Sequence, residues 1–520
     1  MKSRITILTT IILLLFGGAG CDLEVENLNQ PETERVLATA SDLEGLVGGS
    51  VATWWNLHDN YLGMRPIWST KGFQHSAMAA NFGMVQYSRI PRPVYNNSPA
   101  DDFMSYKERT WYHSYRAISA ASDGLRVLDI GDVVLPPARD ARTRAIGRFV
   151  QGVAHGTLAI YYDQAFIFDD SMDPADRLEL VPYQDVLDAA LGYLDDAIAI
   201  AEANSFDIPG DWGLKIMTNN ELLADGAKAM KAYFMANVPR TPAEAENVNW
   251  TAVRDYVIAS NGIDFDIPTD GEGDTYFTYG LLYLNFPGAW SQINNFVLGM
   301  ADQSGEYQSW MSTALGNREP FIIQTPDQRF PQGADQEEQT DNPGFYMEVG
   351  PVGGQWVRAD RGSWRWSYYR DTRFDPYLGS YSAMPLPFKT ARQLRLIQAE
   401  AHYRVGEEGL AADIINETRV DHGGLTATDA DGLNEECVPR LPDGSCGDLF
   451  EMLKWEYRLE TYHHGMASWY LGARRWGDLH EGTILHQPVP GGELQTFELP
   501  VYTFGGPGGE GAAPVGNYGY

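Results

Sequence analysis

Two amphipathic segments in succession constrain this chain most. RQLRLIQAEAHYRVG (Arg392 to Gly406) is followed by LAADIINETRVDHGGL (Leu410 to Leu425), and each stops on glycine. Helix, tight turn and helix, with alanines where two backbones would cross, is the tetratricopeptide style of hairpin. The same period recurs earlier. Trp111 to Ile130 puts Tyr115, Ile118, Ala121, Leu125 and Leu128 on one stripe, and Thr143 to Phe166 does so with Ile146, Phe149, Val150, Val153, Leu158 and Tyr161. A third stretch starts after Pro182 (Val186, Ala190, Leu194, Ala197, Ile198, Ala201), a fourth after Thr218-Asn219-Asn220 (Leu222, Leu223, Ala227, Met230, Tyr233, Phe234). Apolar residues returning every three or four positions over more than ten predict helix, not strand. A last amphipathic stretch runs from about Gly447 to Trp476.

These helices fall into two groups, 111–260 and 390–476. Between them, 262–388 is rich in Gly, Pro, Asn and aromatics with little period, and 54–108 is similar. The segment 489–520 is rich in Pro and Gly. At 520 residues the chain exceeds what one compact core usually supports. The two helical groups nevertheless read as one scaffold, 21–520, interrupted by its own insertion.

Acidic side chains outnumber basic ones by 70 to 38, a net charge of −32. That balance excludes a nucleic-acid partner, because phosphate binding needs cationic patches that release counterions. Residues 1–20 have the parts of an export signal: Lys2 and Arg4, an apolar run from Ile5 to Phe16, then Gly17-Gly18-Ala19-Gly20. The run is too short to span a bilayer, which takes about 20 apolar residues. The small residues end on Cys21, and the junction resembles the lipobox of bacterial lipoproteins, apart from Gly18 where an aliphatic residue is usual. That resemblance implies cleavage before Cys21 and its acylation, two or more chains giving a stable anchor. Loss of Lys2 and Arg4 would take the net charge from −32 to −34.

Four blocks in order carry a wider resemblance: the lipobox with LEVENLNQP (Leu23 to Pro31); WYHSYRAISAASDGLRVL with RFVQGVAHGTLAIYYDQAFIFDD (Arg148 to Asp170); Leu394 to Leu425; and WEYRLETYHHGMASWYLGARRWGDL with HQPVPGGEL (His486 to Leu494). Together they resemble the SusD/RagB family of outer-membrane nutrient-binding lipoproteins. The resemblance implies a mainly α fold of about four tetratricopeptide-like units, with long irregular insertions forming a ligand-binding face. It further implies a non-enzymatic, lipid-anchored, surface-exposed protein that hands glycans or peptides to a SusC-like TonB-dependent transporter.

A sugar ring offers an apolar C–H face to an aromatic side chain and hydroxyls to Asn, Asp and Arg. The irregular stretches hold such mixtures. The binding candidates are Trp54, Trp55, Trp68, Asn81, Phe82, Arg89, Asn96 and Asn97 in the first, and Trp356, Trp364, Trp366 and Tyr368 in the second, with Arg92, Trp290, Trp310 and Tyr369 nearby. For each ring, core packing is the competing role; Trp54 and Trp55 could simply end a first helix and pack.

No nucleophile elbow, His-Glu-x-x-His helix, P-loop or dinucleotide fingerprint occurs. No catalytic residue, metal ligand or cofactor is expected. An anchored glycoside hydrolase and a tetratricopeptide protein-interaction scaffold are the alternatives. Cys437 and Cys446, nine positions apart in a turn-rich loop, are a candidate disulfide, with free thiols or a metal pair as the alternatives.

Overall fold

The computed structural model describes residues 39–59, 64–77, 83–173, 177–214, 216–268, 291–350, 367–373, 375, 385–389, 391–462, 464, 466 and 468–520. Its principal helices are α1 (Ala40–Asp59), α2 (Met64–Lys71), α3 (Arg109–Ile130), α4 (Pro137–Tyr161), α5 (Tyr183–Ala203) and α6 (Asn220–Asn237). They continue with α7 (Trp250–Ala259), α8 (Ala391–Arg404), α9 (Glu408–Arg419), α10 (Leu449–Glu460) and α11 (Ser468–Trp476).

Local chemistry sets several helix ends. Pro137 occupies the first turn of α4, where its missing N–H costs nothing. The extended Asn219 accepts the Leu222 N–H at 2.9 Å and opens α6. Asp448 does the same for Glu451 at the start of α10. Gly406, at φ +81°, lets the chain turn between α8 and α9.

Each helix packs on the next, from α3 through α10, giving the tetratricopeptide-like stack of hairpins. α4 is the hub, buried along most of its length. Its glycines admit neighbours: a Cβ at Gly147 would lie 2.9 Å from Leu125 of α3, at Gly152 2.6 Å from Leu194 of α5, and at Gly156 2.4 Å from Phe234 of α6. The resulting core is continuous from Val47 to Tyr518.

α7 packs directly on α8 although the whole insertion separates them in sequence. A two-stranded antiparallel neck, β4 (Phe265–Pro268) with β8 (Pro385–Lys389), brings the chain back to where it left. Further two-stranded pairs are β1 (His75–Ala77) with β5 (Ser291–Ile293), β2 (Gln164–Phe166) with β3 (Leu180–Pro182), and β6 (Met347–Val349) with β7 (Tyr369–Asp371).

Three expectations are corrected. The stretch 54–108 is not irregular from its start, since α1 runs through Trp54 and Trp55 to Asp59 and α2 follows. The second helix of the first hairpin begins at Pro137 and ends at Tyr161, so Gln164–Phe166 is strand. Arg240 and Arg474 take up the carbonyls of its last turn. The stretch from Gly447 to Trp476 is two helices, α10 and α11, not one. Cys437 and Cys446 are joined by a disulfide, S–S 1.97 Å.

Candidate functional site

α2 ends with Trp68 and Lys71 three residues apart, hence on one face. Beyond it, Arg92 ties three segments together. Its Nη1 and Nη2 donate to the carbonyls of Tyr87 and Lys71, its Nε donates to Thr483 Oγ1 at 3.0 Å, and its guanidinium lies 3.8 Å from the Phe73 ring centre. These braces frame a pocket of about 250 Å³ between the end of α2, residues 86–96, and Gly482 to Ile484.

Lys71 forms its interior. The residue is 5% exposed, and its Nζ lies 4.2, 5.2 and 4.9 Å from the ring centres of Trp68, Tyr87 and Tyr95. The Nζ has no hydrogen-bond partner among the described residues, nor has the buried Tyr87 hydroxyl. Burial, with Lys107 and Arg92 close by, holds the Lys71 ammonium well below the usual lysine range. Lys107 lines the same pocket but is bound, to the Asn96 carbonyl at 2.9 Å and to Asp101 at 3.3 Å.

The structure distributes the sequence candidates unevenly. Arg89 and Asn96 both line this pocket at its exposed rim, and Asn96 also bonds Asp101. Asn97, next in sequence, is buried. Its Nδ2 donates to the Val489 and Tyr502 carbonyls at 3.0 and 2.9 Å, and its Oδ1 accepts from Gly491 N at 3.1 Å, so it staples the chain to the C-terminal segment.

Trp54, Trp55 and Trp68 are core residues, exposed by 1% or less, and offer no face to a ligand. Trp54 donates to Thr157 Oγ1 at 3.1 Å and sits edge-on to Trp55; Trp68 stacks 4.9 Å from Tyr161 and lies 4.4 Å from Tyr470. Their helices put these rings on the face that meets the rest of the core. Trp310 and Tyr369 are buried as well, and Tyr368 is half-buried against the core. Asn81, Phe82, Trp290, Trp356, Trp364 and Trp366 lie outside the described residues, as do Cys21 and the segment 1–20.

Lys71, Tyr87, Tyr95 and Lys107 were not among the candidates. One signal was present: the chain has only eight lysines, and two of them meet here.

A second feature concerns described residues that border the insertions. β1 pairs β5, Ser367 N donates to the Ile293 carbonyl at 2.8 Å, and Asn294 Nδ2 donates to Ser76 Oγ at 2.9 Å. Gly350 N donates to the Tyr368 carbonyl at 2.8 Å. Ala77, Ser291, Gly350 and Ser367, the described ends next to three of the undescribed stretches, are therefore brought together through these small ladders.

Such an architecture, stacked helical hairpins with one long insertion closed at a strand neck, defines a helical-repeat scaffold. The sequence matches no family model and no curated protein. Solved structures share the fold. A SusD superfamily protein from Bacteroides vulgatus ATCC 8482 has 14% identity over 84% of this chain and 88% of that one, TM-score 0.50. A SusD homolog from Parabacteroides distasonis ATCC 8503 has 11% identity over 84% of each chain, TM-score 0.54. A protein solved with a xylogluco-oligosaccharide has 13% identity over 88% of this chain and 85% of that one, TM-score 0.50. The chain has the SusD-like fold.

Proposed function

We propose that this protein is a non-catalytic, cell-surface lipoprotein that binds glycans and delivers them to a SusC-like TonB-dependent transporter in the outer membrane. The observation that carries the reading is the SusD-like fold, shared over more than four fifths of the chain with a protein solved with a xylogluco-oligosaccharide. The convergence of the insertion borders at β1, β5 and β7 supports it, because rings from separate segments must meet to grip a sugar chain. Cys21 supplies the anchor and the helical stack the rigid support. Expression with and without Cys21→Ala tests the placement. The parent chain partitions into outer membranes and co-purifies with a large barrel protein, whereas the variant is released in soluble form. Equal membrane partition of the two would contradict anchoring, and a lipidated form that purifies alone would contradict the transporter.

A further inference from the structure

We propose that the pocket at the end of α2 is a site for a sugar-sized ring bearing one oxyanion, a carboxylate or a sulfate ester, with Lys71 as its counter-charge. The inference stands apart from the glycan-uptake reading, since it rests on this pocket alone.

Charge is the first ground. In a chain of net charge −32, Lys71, Arg89, Arg92 and Lys107 line one pocket, and among the described residues no carboxylate lines it. The adjoining acid is Asp101, which is already paired with Lys107 at 3.3 Å.

The second ground is an unmet donor. An ammonium has three N–H groups, and Lys71 uses none on a described acceptor. Three ring faces compensate in part, as cation–π contacts do for a desolvated ammonium. Taking an ammonium out of water is costly, and two neighbouring cations, Lys107 and Arg92, add repulsion. An oxyanion on Nζ would supply both the missing hydrogen bonds and the missing charge. The Tyr87 hydroxyl, buried and without a partner among the described residues, offers a further donor in the same wall.

Arg92 is a positioning residue here: its nitrogens are committed to Tyr87, Lys71 and Thr483, so it contributes charge and shape, not a ligand bond. At the open rim, Asn96 and Gln86 present amides suited to hydroxyls, while the half-buried Tyr95 presents ring surface suited to a C–H face. A volume of about 250 Å³ falls below the range usual for drug-sized ligands, roughly 300–1,000 Å³, and fits one ring better than a chain.

Calorimetry on the full mature protein tests this with sodium D-glucuronate, D-glucose 6-sulfate, D-glucose and inorganic phosphate. Saturable binding is expected for one or both sugar anions, with glucose at least tenfold weaker. Glucuronate alone assigns a carboxylate, and the 6-sulfate alone assigns a sulfate ester. Lys71→Met, which keeps the stem and removes the charge, should weaken binding at least tenfold, and Tyr87→Phe several-fold with an unchanged melting curve. Should Lys71→Met fail to fold, Tyr87→Phe and Arg89→Ala carry the test. No binding of either sugar anion, glucose binding as tightly, phosphate binding as tightly as the sugar anions, or variants that bind like the parent would overturn the proposal. A neutral oligosaccharide that still binds in that case would leave the glycan-uptake reading intact.

Discussion

Arg240 and Arg474 donate to the same carbonyl oxygen, that of Ile160, at 2.7 and 2.8 Å. Arg240 approaches from the loop after α6 and adds the carbonyls of Ala159 and Tyr162. Arg474 approaches from α11 and adds those of Asn237 and Leu485. Two buried guanidiniums side by side repel one another, and burial lowers the pKa of each. The carbonyls left without helical partners at the end of α4, and its negative dipole end, offset that cost. Arg474 thereby joins α4, α6, α11 and the segment after it.

Arg474→Met should accordingly destabilise the fold by about 3 kcal/mol, the scale of several hydrogen bonds to a buried charge. Arg474→Lys should recover little, because an ammonium cannot span three carbonyls in fixed directions. Urea unfolding measures both. A loss below about 1 kcal/mol for Arg474→Met would show that Arg240 alone closes α4.

Trp54→Ala should cost about 3–5 kcal/mol by opening a cavity beside Thr157 and Trp55. The folded fraction should bind ligand with unchanged affinity. A stable variant with weakened binding would return Trp54 to the binding face.

His155 is neutral in the fold. Its Nδ1 faces the Gln151 carbonyl at 2.7 Å and its Nε2 faces Phe168 N at 3.3 Å, so a second ring proton would break the latter contact. Burial lowers its pKa from 6.5 to about 4. The unfolded chain then takes up a proton that the folded chain refuses. This contribution to stability is complete above about pH 6.5 and falls away towards pH 4, at up to about 1.4 kcal/mol per pH unit. His155→Gln should lose less stability than the parent between pH 6.5 and 4, by about 3 kcal/mol in total. Parallel stability–pH curves for the two proteins would contradict a neutral buried His155.

What the sequence made legible was whatever is encoded locally. Asn219 announces α6, and Gly406 marks the turn between α8 and α9. The end of α4 was misplaced because Arg240 and Arg474, which take up its carbonyls, come from distant parts of the chain. Within the candidate site Arg89, Arg92 and Asn96 were legible, whereas Asn97 and the buried Lys71 were not. Asn96 reaches the pocket rim and Asn97, one residue on, bonds the C-terminal segment, a difference set by partners some 390 positions away. Lys71 escaped notice because lysines are ordinarily surface residues, and only the assembled rings of Trp68, Tyr87 and Tyr95 reveal it as buried.

Calorimetric titration of the mature protein with a panel of neutral oligosaccharides, xylogluco-oligosaccharides included, tests the central claim most directly when the same samples are assayed for released reducing ends. The account predicts saturable binding of at least one oligosaccharide, with the ligand recovered intact. Sustained release of reducing ends, or no binding across the panel by a protein that melts cooperatively, would contradict it.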